Sequence, residues 1–196
     1  MRAIRESPLQ CCLQQFMHRM CNSSYHVHRH NSFTERSDTM TKTNAMRLLE
    51  AAKIPFELME YPVDENDLSG ESIARKTGKD PTQVFKTLVF FGEKNGHGVC
   101  CIPACDELDL KKVAKAFGEK KVEMIPVKDL LKTTGYIRGG CSPVGMKKPF
   151  PTVIDETATL FDKIYVSAGV RGAMLGIEPS ALADYVGAKF EDVTII

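Results

Sequence analysis

A lysine within an apolar segment is the first residue of the chain whose type and position could serve chemistry. Residues 83–91 read Gln-Val-Phe-Lys-Thr-Leu-Val-Phe-Phe, which predicts a buried β-strand that carries the ammonium group of Lys86. Burying a cation without a partner costs free energy, whereas a pocket that receives an anionic ligand gives the cation a partner. The alternative is an edge position from which the lysine side chain reaches water, and this segment alone favours that alternative.

A glycine-rich stretch at residues 134–145 is the second candidate for chemistry. Gly140 and Gly145 have the spacing of a phosphate-binding P-loop, but Met146 stands where that motif needs lysine, and no Ser or Thr follows Lys147. No G-x-G-x-x-G run follows a predicted strand either, so a dinucleotide-binding fold is unsupported. The stretch still offers free N–H groups and close backbone approach, which suit a carbonyl or phosphate oxygen. A plain tight turn explains the glycine content equally well.

Conventional nucleophilic catalysis lacks its base in this sequence. Cys141 could be a nucleophile, but four of the five histidines lie within the first thirty residues, and His97 falls in a predicted hairpin turn. Both a Cys-His pair and a Ser-His-Asp triad are therefore disfavoured.

A zinc site at His97, Cys100, Cys101 and Cys105 is disfavoured as well. Adjacent residues on a strand point to opposite faces, so Cys100 and Cys101 would not face one ion. Buried structural cysteines explain this segment better. The sequence predicts no metal and no cofactor.

The elements that must position these residues follow from periodicity, caps and turn residues. Strands and short helices alternate irregularly, which predicts a mixed α/β sheet rather than a repeating βαβ fold. The predicted elements are a helix after Thr43, a strand at 56–63, a helix from Ser69 to Gly78, one turn at 80–83, a hairpin of 83–91 with 99–102, a helix at 110–117, a strand at 122–125, a helix at 127–131, strands at 152–154, 164–167 and 173–177, a helix from Pro179 to Gly187, and a terminal strand at 190–196.

Composition and charge limit the function classes. The 196 residues, 43% hydrophobic and 26% charged, are typical of one globular domain with a real core. The net charge of +1 means that contact with nucleic acid would need a local patch or a partner protein. The candidate patch, for which a solvated helix face is the alternative, comprises Lys111, Lys112, Lys115, Lys120 and Lys121.

Hydropathy and cysteine content limit the cellular compartments in which the protein is expected. No apolar run is long enough to predict a membrane span. The seven cysteines lack the paired spacing of a secreted disulfide framework, and a reducing cytoplasm fits them best.

The first 39 residues differ from the rest. They lack a helical or strand period, which predicts a disordered extension ahead of a domain at 40–196, with Met40 as a natural start. The acidic residues Glu6, Glu35 and Asp38 disfavour a transit peptide. The run His-Val-His-Arg-His at 26–30 could bind a metal, although a solvated tail is the favoured interpretation.

Several ordered motifs resemble one known family. They are Gln-Val-Phe-Lys-Thr-Leu at 83–88, the lysine-rich segment at 108–116, Lys-Lys-Val-Glu-Met at 120–124, the glycine-rich stretch at 134–145 and Ile-Tyr-Val-Ser at 164–167. Together they closely resemble the YbaK/EbsC family of free-standing tRNA-editing deacylases, in the branch that clears Cys-tRNA(Pro). The resemblance runs from about Met40 to the C-terminus.

The resemblance implies a fold and a set of site residues. It implies a single compact α/β domain with a mixed, barrel-like β-sheet flanked by short helices. Lys86 matches the family's functional lysine and Gly139 begins its G-x-x-x-P loop, so both are expected to be catalytic. One departure is Met174, which stands where a relative has an acidic residue. Substrate contacts are expected at Tyr61, Gly140, Cys141, Ser142 and Pro143.

The resemblance also implies a reaction and partners. The chain would remove cysteine that prolyl-tRNA synthetase has mischarged onto tRNA(Pro), and the substrate's own thiol would attack the ester. A thiol with a pKa of ~8.5 is a few per cent thiolate near neutrality, and intramolecular attack can have an effective molarity on the order of 10⁵ M. Removal of alanine from the same tRNA and a non-catalytic tRNA- or nucleotide-binding module are the alternatives.

Overall fold

The computed structural model describes residues 41–195. The predicted disordered extension at 1–39, the histidine run within it and the proposed start at Met40 lie outside the described residues. The predicted domain boundary therefore stays a prediction. Among the described residues, no helix combines the length and apolar character needed to cross a membrane.

The described chain forms short helices and strands in the order that the sequence predicts. The helices are α1 (Asn44–Ala51), α2 (Gly70–Thr77), α3 (Leu110–Ala116), α4 (Val127–Thr134) and α5 (Pro179–Val186), with a 3₁₀ helix at Glu156–Leu160. The strands are β1 (Glu57–Glu60), β2 (Phe85–Gly92), β3 (Gly96–Pro103), β4 (Val122–Met124), β5 (Thr152–Asp155), β6 (Ile164–Ser167), β7 (Ala173–Ile177) and β8 (Lys189–Glu191).

Side-chain caps fix where the first two helices begin. The Thr43 hydroxyl accepts a hydrogen bond from the Met46 N–H at 3.2 Å, and the Ser69 hydroxyl accepts one from the Ser72 N–H at 3.2 Å. Each bond satisfies an N–H group that has no partner inside its helix. Helix α2 ends at Gly78, whose φ of 67° is the left-handed conformation that glycine adopts without steric cost. These boundaries agree with the sequence-based prediction.

The strands form two sheets. One has five strands in the order β4-β2-β3-β5-β8, and the other has three in the order β1-β7-β6. The larger sheet is mixed, since β2 pairs antiparallel with β3 and β4, while β3-β5 and β5-β8 are parallel. A bridge between Val84 and Tyr165 joins the start of β2 to β6. The predicted mixed α/β domain is confirmed, and the two sheets remain open rather than closing into one barrel.

Two apolar clusters hold these layers together. The first packs β2, β3 and β5 against α3 and includes Phe90, Ile102 and Val113. The second includes Val84, Ala104, Tyr165 and Met174, with Tyr61 and Met59 packed against it. Removal of these side chains from water supplies the main favourable free energy for packing α3 on the larger sheet, in the first cluster, and for docking the two sheets, in the second.

The terminal strand is shorter than predicted. Only residues 189–191 pair with β5, and Thr194 forms an isolated bridge with Leu108. The chain leaves the sheet because the Val193 N–H donates to the Asp155 carboxylate at 3.2 Å, and the Thr194 carbonyl accepts a hydrogen bond from Lys112.

Candidate active site

Lys86 lies on β2 where that strand is paired on one side only. Its neighbour across the sheet is Ile102 on β3. On the other edge of β2, pairing with β4 covers residues 90–92, and the bridge to Tyr165 is at Val84. The Lys86 side chain is half-buried, and its Nζ donates to the backbone carbonyl of Ala104 at 3.0 Å. The lysine thus lies at a gap in the pairing along this edge of β2, as the edge interpretation expects, and its functional role stays a prediction.

The start of helix α2 lies directly against the carbonyl that holds Lys86. A Cβ atom added to Gly70 would lie 2.3 Å from the Cβ of Ala104, so only glycine allows this approach. Two residues earlier, Leu68 contacts the glycine-rich loop, since a Cβ on Gly139 would lie 3.2 Å from the Leu68 methyl carbon. Residues 68–70 thus connect the Lys86 position to the loop at 139–143.

Arg171 fixes the glycine-rich loop from the turn between β6 and β7. Its Nε donates to the Arg138 carbonyl at 3.0 Å, and its guanidinium also bonds to the Glu65 carboxylate at 3.2 Å. Gly139 has a φ of +82°, which disfavours any residue with a Cβ. A Cβ on Gly140 would meet the backbone of residues 170 and 171 at 3.1–3.3 Å. Glycine is thus favoured at 139 by its backbone conformation and at 140 by the close approach of the turn.

The loop turns most of its side chains inward. Cys141, Ser142 and Pro143 are buried. The Ser142 hydroxyl accepts a hydrogen bond from the Val144 N–H at 3.2 Å, and the Tyr136 hydroxyl donates to the Val144 carbonyl at 2.6 Å. Contact between substrate and residues 140–143 would consequently use the backbone rather than these side chains.

Cys141 is placed as a structural thiol. Burial raises the pKa of its thiol to about 12, so the thiolate is scarce at neutral pH. Burial also raises the pKa of Cys101 to about 12, and the nearby Cys141 thiol adds to that rise. Cys101 pairs with Thr87, and strand alternation places Thr87 on the face of β2 opposite Lys86. The Cys141 side chain is therefore not brought together with Lys86.

Tyr61 joins the site through the second apolar cluster. Its backbone N–H donates to the Gly172 carbonyl at 2.9 Å, next to the arginine that holds the loop. Burial raises the pKa of the phenol, so its hydroxyl is protonated and can donate a hydrogen bond. Met174, which is 2% exposed, belongs to the same cluster and gives this region an apolar floor.

The structure thus brings some predicted residues together and separates others. Lys86 and Tyr61 border one cluster, and residues 68–70 and 171–172 link that cluster to Gly139 and Gly140. His97 instead contacts the rings of Phe91 and Phe150, with centroids 5.2 and 6.0 Å away. In the described part of the chain, no group of three or more His, Cys, Asp or Glu side chains is arranged to hold a metal ion.

The five lysines predicted to contact tRNA are not equally available. The Lys112 ammonium lies 2.8 Å from both the Asp192 carboxylate and the Thr194 carbonyl. Lys121 pairs with Glu123 at 2.5 Å. Lys121 stays exposed despite this ion pair, and Lys111, Lys115 and Lys120 are exposed as well.

Sequence reasoning did not identify Arg171, Gly70 or Ala104 as parts of this site. Arg171 was visible only as one residue of a predicted turn, because its carbonyl partner lies 33 residues earlier in the chain. Nothing in the sequence around Gly70 or Ala104 indicates that these two residues contact each other.

Comparisons with known proteins identify relatives of this arrangement. Residues 66–185 match the family described as the aminoacyl-tRNA editing domain. A protein of Enterococcus faecalis (strain ATCC 700802 / V583) that carries the name Cys-tRNA(Pro)/Cys-tRNA(Cys) deacylase EbsC is 49% identical over 159 residues, which cover 81% of this chain and 97% of that protein.

Solved structures share the fold. One that is described as a trans-editing enzyme for prolyl-tRNA synthetase has a TM-score of 0.69 at 24% identity, covering 80% of this chain and 100% of that chain. A hypothetical protein has a TM-score of 0.70 at 22% identity, covering 76% and 97%.

Proposed function

Because the chain belongs to the aminoacyl-tRNA editing domain family, we propose that it removes cysteine mischarged onto tRNA(Pro). The observation that carries the proposal is the position of Lys86, a half-buried cation whose partner is a neutral carbonyl, at the edge of the cluster that includes Tyr61. The name of the Enterococcus faecalis relative supports the choice of cysteine and tRNA(Pro).

The proposed reaction uses the thiol of the substrate. Its sulfur attacks the carbonyl carbon of its own ester, so that a C–S bond forms and the C–O bond to the terminal ribose breaks. The proton lost by the thiol ends on the ribose oxygen, and water then opens the cyclic thioester to free cysteine. The protein needs to supply neither nucleophile nor base for this route. This route agrees with a buried Cys141 thiol of raised pKa and with the position of His97 beside the rings of Phe91 and Phe150.

Lys86 and Gly139 have different tasks in this reaction. The Lys86 ammonium leaves the Ala104 carbonyl to bind the terminal adenosine phosphate or the developing oxyanion. A charge-assisted hydrogen bond contributes about 1.5–3 kcal/mol, which corresponds to roughly 10- to 150-fold in rate. Gly139 brings the loop backbone close to the ester. Tyr61 donates from its protonated phenol, and the backbone of residues 140–143 shapes the pocket.

Selectivity follows from the same chemistry. Alanine and proline esters carry no thiol, and the hydroxyl of serine is a far weaker acid than the cysteine thiol. The apolar cluster with Met174 at its floor suits a small uncharged side chain.

Recognition of the whole tRNA is shared with a partner in this proposal. The net charge of +1 is small, and two of the five lysines predicted to contact tRNA are engaged within the protein. Prolyl-tRNA synthetase, which makes the mischarged substrate, is the partner that we propose, in the cytoplasm where translation occurs. Lys111, Lys115, Lys120 and Lys121 are the exposed members of the predicted RNA-contacting set, and of these Lys121 pairs with Glu123.

Deacylation assays test the proposal. Cys-tRNA(Pro), Ala-tRNA(Pro) and Ser-tRNA are incubated with wild type, Lys86→Ala and the control Lys189→Ala, which removes an exposed lysine on β8. We expect release of cysteine alone, a loss of at least tenfold in Lys86→Ala, and no change in the control.

Each other outcome has its own meaning. Release of alanine but not cysteine would identify the chain as an Ala-tRNA(Pro) deacylase. Binding without release from any of the three would leave a non-catalytic module. Equal release by wild type and Lys86→Ala would remove Lys86 from the mechanism.

A further inference from the structure

A cleft of about 530 Å³ opens at the end of β2 farthest from Lys86. Its lining includes Phe91, His97, Asp129, Lys132, Lys148 and Phe150. Phe91 is five residues beyond Lys86 on the same strand, so strand alternation places the two side chains on opposite faces of β2. The cleft is therefore separate from the proposed ester site.

Aromatic rings form one wall of this cleft. The ring centroid of His97 lies 5.2 Å from that of Phe91 and 6.0 Å from that of Phe150. Phe91 is 44% exposed, although phenylalanine is among the residues most often buried. Exposed aromatic rings on a strand are what RNA-binding domains use to stack unpaired bases.

The chain segment around the cleft is strongly basic. Between residues 123 and 150, five cations stand against the two carboxylates Glu123 and Asp129, a local formal charge of +3 in a chain whose total is +1. Lys132 and Lys148 line the cleft, and neither forms an ion pair with another residue of the described range. The five cations are Lys128, Lys132, Arg138, Lys147 and Lys148.

We propose that this cleft binds an unpaired nucleotide of the RNA substrate. The base stacks on Phe91 or Phe150, and the ammonium groups of Lys132 and Lys148 hold the flanking phosphates. The inference rests on the proposed function for the choice of RNA as the ligand. It moves the main RNA contact from the α3 lysines, of which Lys112 is engaged with Asp192, to the segment at 123–150.

The mixed lining fits a whole nucleotide better than a free anion. Asp129 and Glu123 also border the cleft, and a carboxylate beside a bare phosphate would repel it. A carboxylate can instead accept a hydrogen bond from the amino group of a base. A base, a sugar and flanking phosphates together use the rings, the carboxylates and the lysines of this cleft.

Ring substitutions test the stacking. Binding of labelled, uncharged tRNA(Pro) to the full chain is measured by fluorescence anisotropy for wild type, Phe91→Leu and Phe91→Tyr. Stacking of a base on an aromatic side chain predicts that Phe91→Leu weakens binding about fivefold or more, whereas Phe91→Tyr keeps the ring and the affinity. Equal affinities for all three proteins would overturn the proposal for Phe91, and the same result with Phe150→Leu would overturn it for the cleft.

Salt dependence tests the phosphate contacts. The double variant Lys132→Gln/Lys148→Gln should bind tRNA more weakly, and the slope of log affinity against log salt concentration should fall by about 1.4, or about 0.7 for each lost contact to a single strand. The arginine pair at the same positions should restore the slope. Lys53→Gln/Lys189→Gln removes equal charge from exposed positions outside the cleft lining and should leave the slope unchanged. If the slope falls equally in both glutamine double variants, the lysines attract RNA only through the overall charge of the protein, and the cleft is not a binding site.

Two further measurements separate this proposal from the proposed function and from a free nucleotide. In cysteine release, the cleft variants should raise KM for Cys-tRNA(Pro) while kcat stays unchanged. If wild type releases no cysteine but the cleft variants still lose tRNA affinity, the cleft stands and the proposed function fails. If release is normal and tRNA affinity is unaffected by every variant, the cleft proposal alone fails. Displacement of tRNA by micromolar AMP or CMP would assign the cleft to a free nucleotide and overturn the RNA site.

Discussion

The Lys86 ammonium is held 3.0 Å from the backbone carbonyl of Ala104. A neutral carbonyl is a weaker partner for a cation than a phosphate or an oxyanion. The bond therefore orders the lysine side chain, and in the proposed reaction the ammonium exchanges this carbonyl for an anionic group.

Replacing Lys86 by methionine should separate its charge from its packing. Methionine keeps an unbranched apolar stem, so we expect the free energy of unfolding to change by less than about 1 kcal/mol. Cysteine release should fall at least tenfold because the charge-assisted bond is lost. Urea denaturation and single-turnover deacylation measure the two effects, and a loss of activity that only tracks a loss of folded protein would contradict the functional role.

Gly139→Ala should lower deacylation as well as stability, because the added methyl group strains the backbone and also displaces the loop. A positive φ costs about 1–2 kcal/mol for a residue with a Cβ, and the new methyl group would also press on Leu68 at 3.2 Å. Gly187→Ala is the control, since Gly187 has a φ of 67° and no atom within 4 Å of the added Cβ. Both variants should lose stability, but only Gly139→Ala should lose deacylation in assays corrected for the folded fraction.

Arg171→Ala should lower activity by releasing the loop from the turn. The variant leaves the Arg138 carbonyl without its side-chain partner, and we expect cysteine release to fall several-fold while KM changes little. Glu65→Gln removes only the ion pair between Arg171 and Glu65. Glu65 is 79% exposed, and exposed ion pairs contribute little to stability. Similar losses in the two variants would mean that the Glu65 pair, rather than the carbonyl bond, holds the loop.

Lys112 and Lys111 should behave differently although they are adjacent. Lys112 ties α3 to the C-terminal segment through Asp192 and the Thr194 carbonyl, so Lys112→Ala should lower the free energy of unfolding by about 1–2 kcal/mol. Lys111 is exposed, so Lys111→Ala should leave stability within about 0.5 kcal/mol of wild type. Equal stabilities of the two variants in urea titrations would argue against the structural role of Lys112.

The burial of the Tyr136 hydroxyl should make the free energy of unfolding depend on pH at alkaline pH. Burial raises its pKa to about 12 from an ordinary value of 10. Between these values the folded state binds more protons than the unfolded state, so stability falls as pH rises, by up to about 1.4 kcal/mol per pH unit. Tyr136→Phe loses the bond to the Val144 carbonyl, which costs about 1–3 kcal/mol below pH 10. The difference between the two proteins should therefore narrow from pH 10 to pH 12 in denaturant titrations, and parallel curves would contradict this cause.

Local rules were enough to predict most elements of this fold. Thr43 and Ser69 mark helix starts because their hydroxyls accept bonds from neighbouring residues, and Gly78 marks a helix end for an equally local reason. The buried cysteines Cys100 and Cys101 were also predicted, and both are 0% exposed.

Contacts between distant residues could not be predicted in this way. Arg171 bonds to a carbonyl 33 residues away, and Lys112 to a carboxylate 80 residues away. A single sequence gives no sign of which lysine on a helix will find such a partner, so Lys111 and Lys112 looked equivalent. The gap in pairing beside Lys86 likewise depends on where β4 and β6 dock, which periodicity along β2 does not determine.

Because Ala104 contacts Gly70 and also accepts the hydrogen bond from Lys86, residue 104 sets the distance between the start of α2 and the Lys86 ammonium. Its methyl group sets how closely the first turn of α2 approaches, while its carbonyl sets where the Lys86 ammonium rests. A bulkier residue there would push helix and ammonium apart together. If the proposed ester site is correct, changes in side-chain size at position 104 should alter the distance between α2 and the Lys86 ammonium without replacing Lys86 or Gly139.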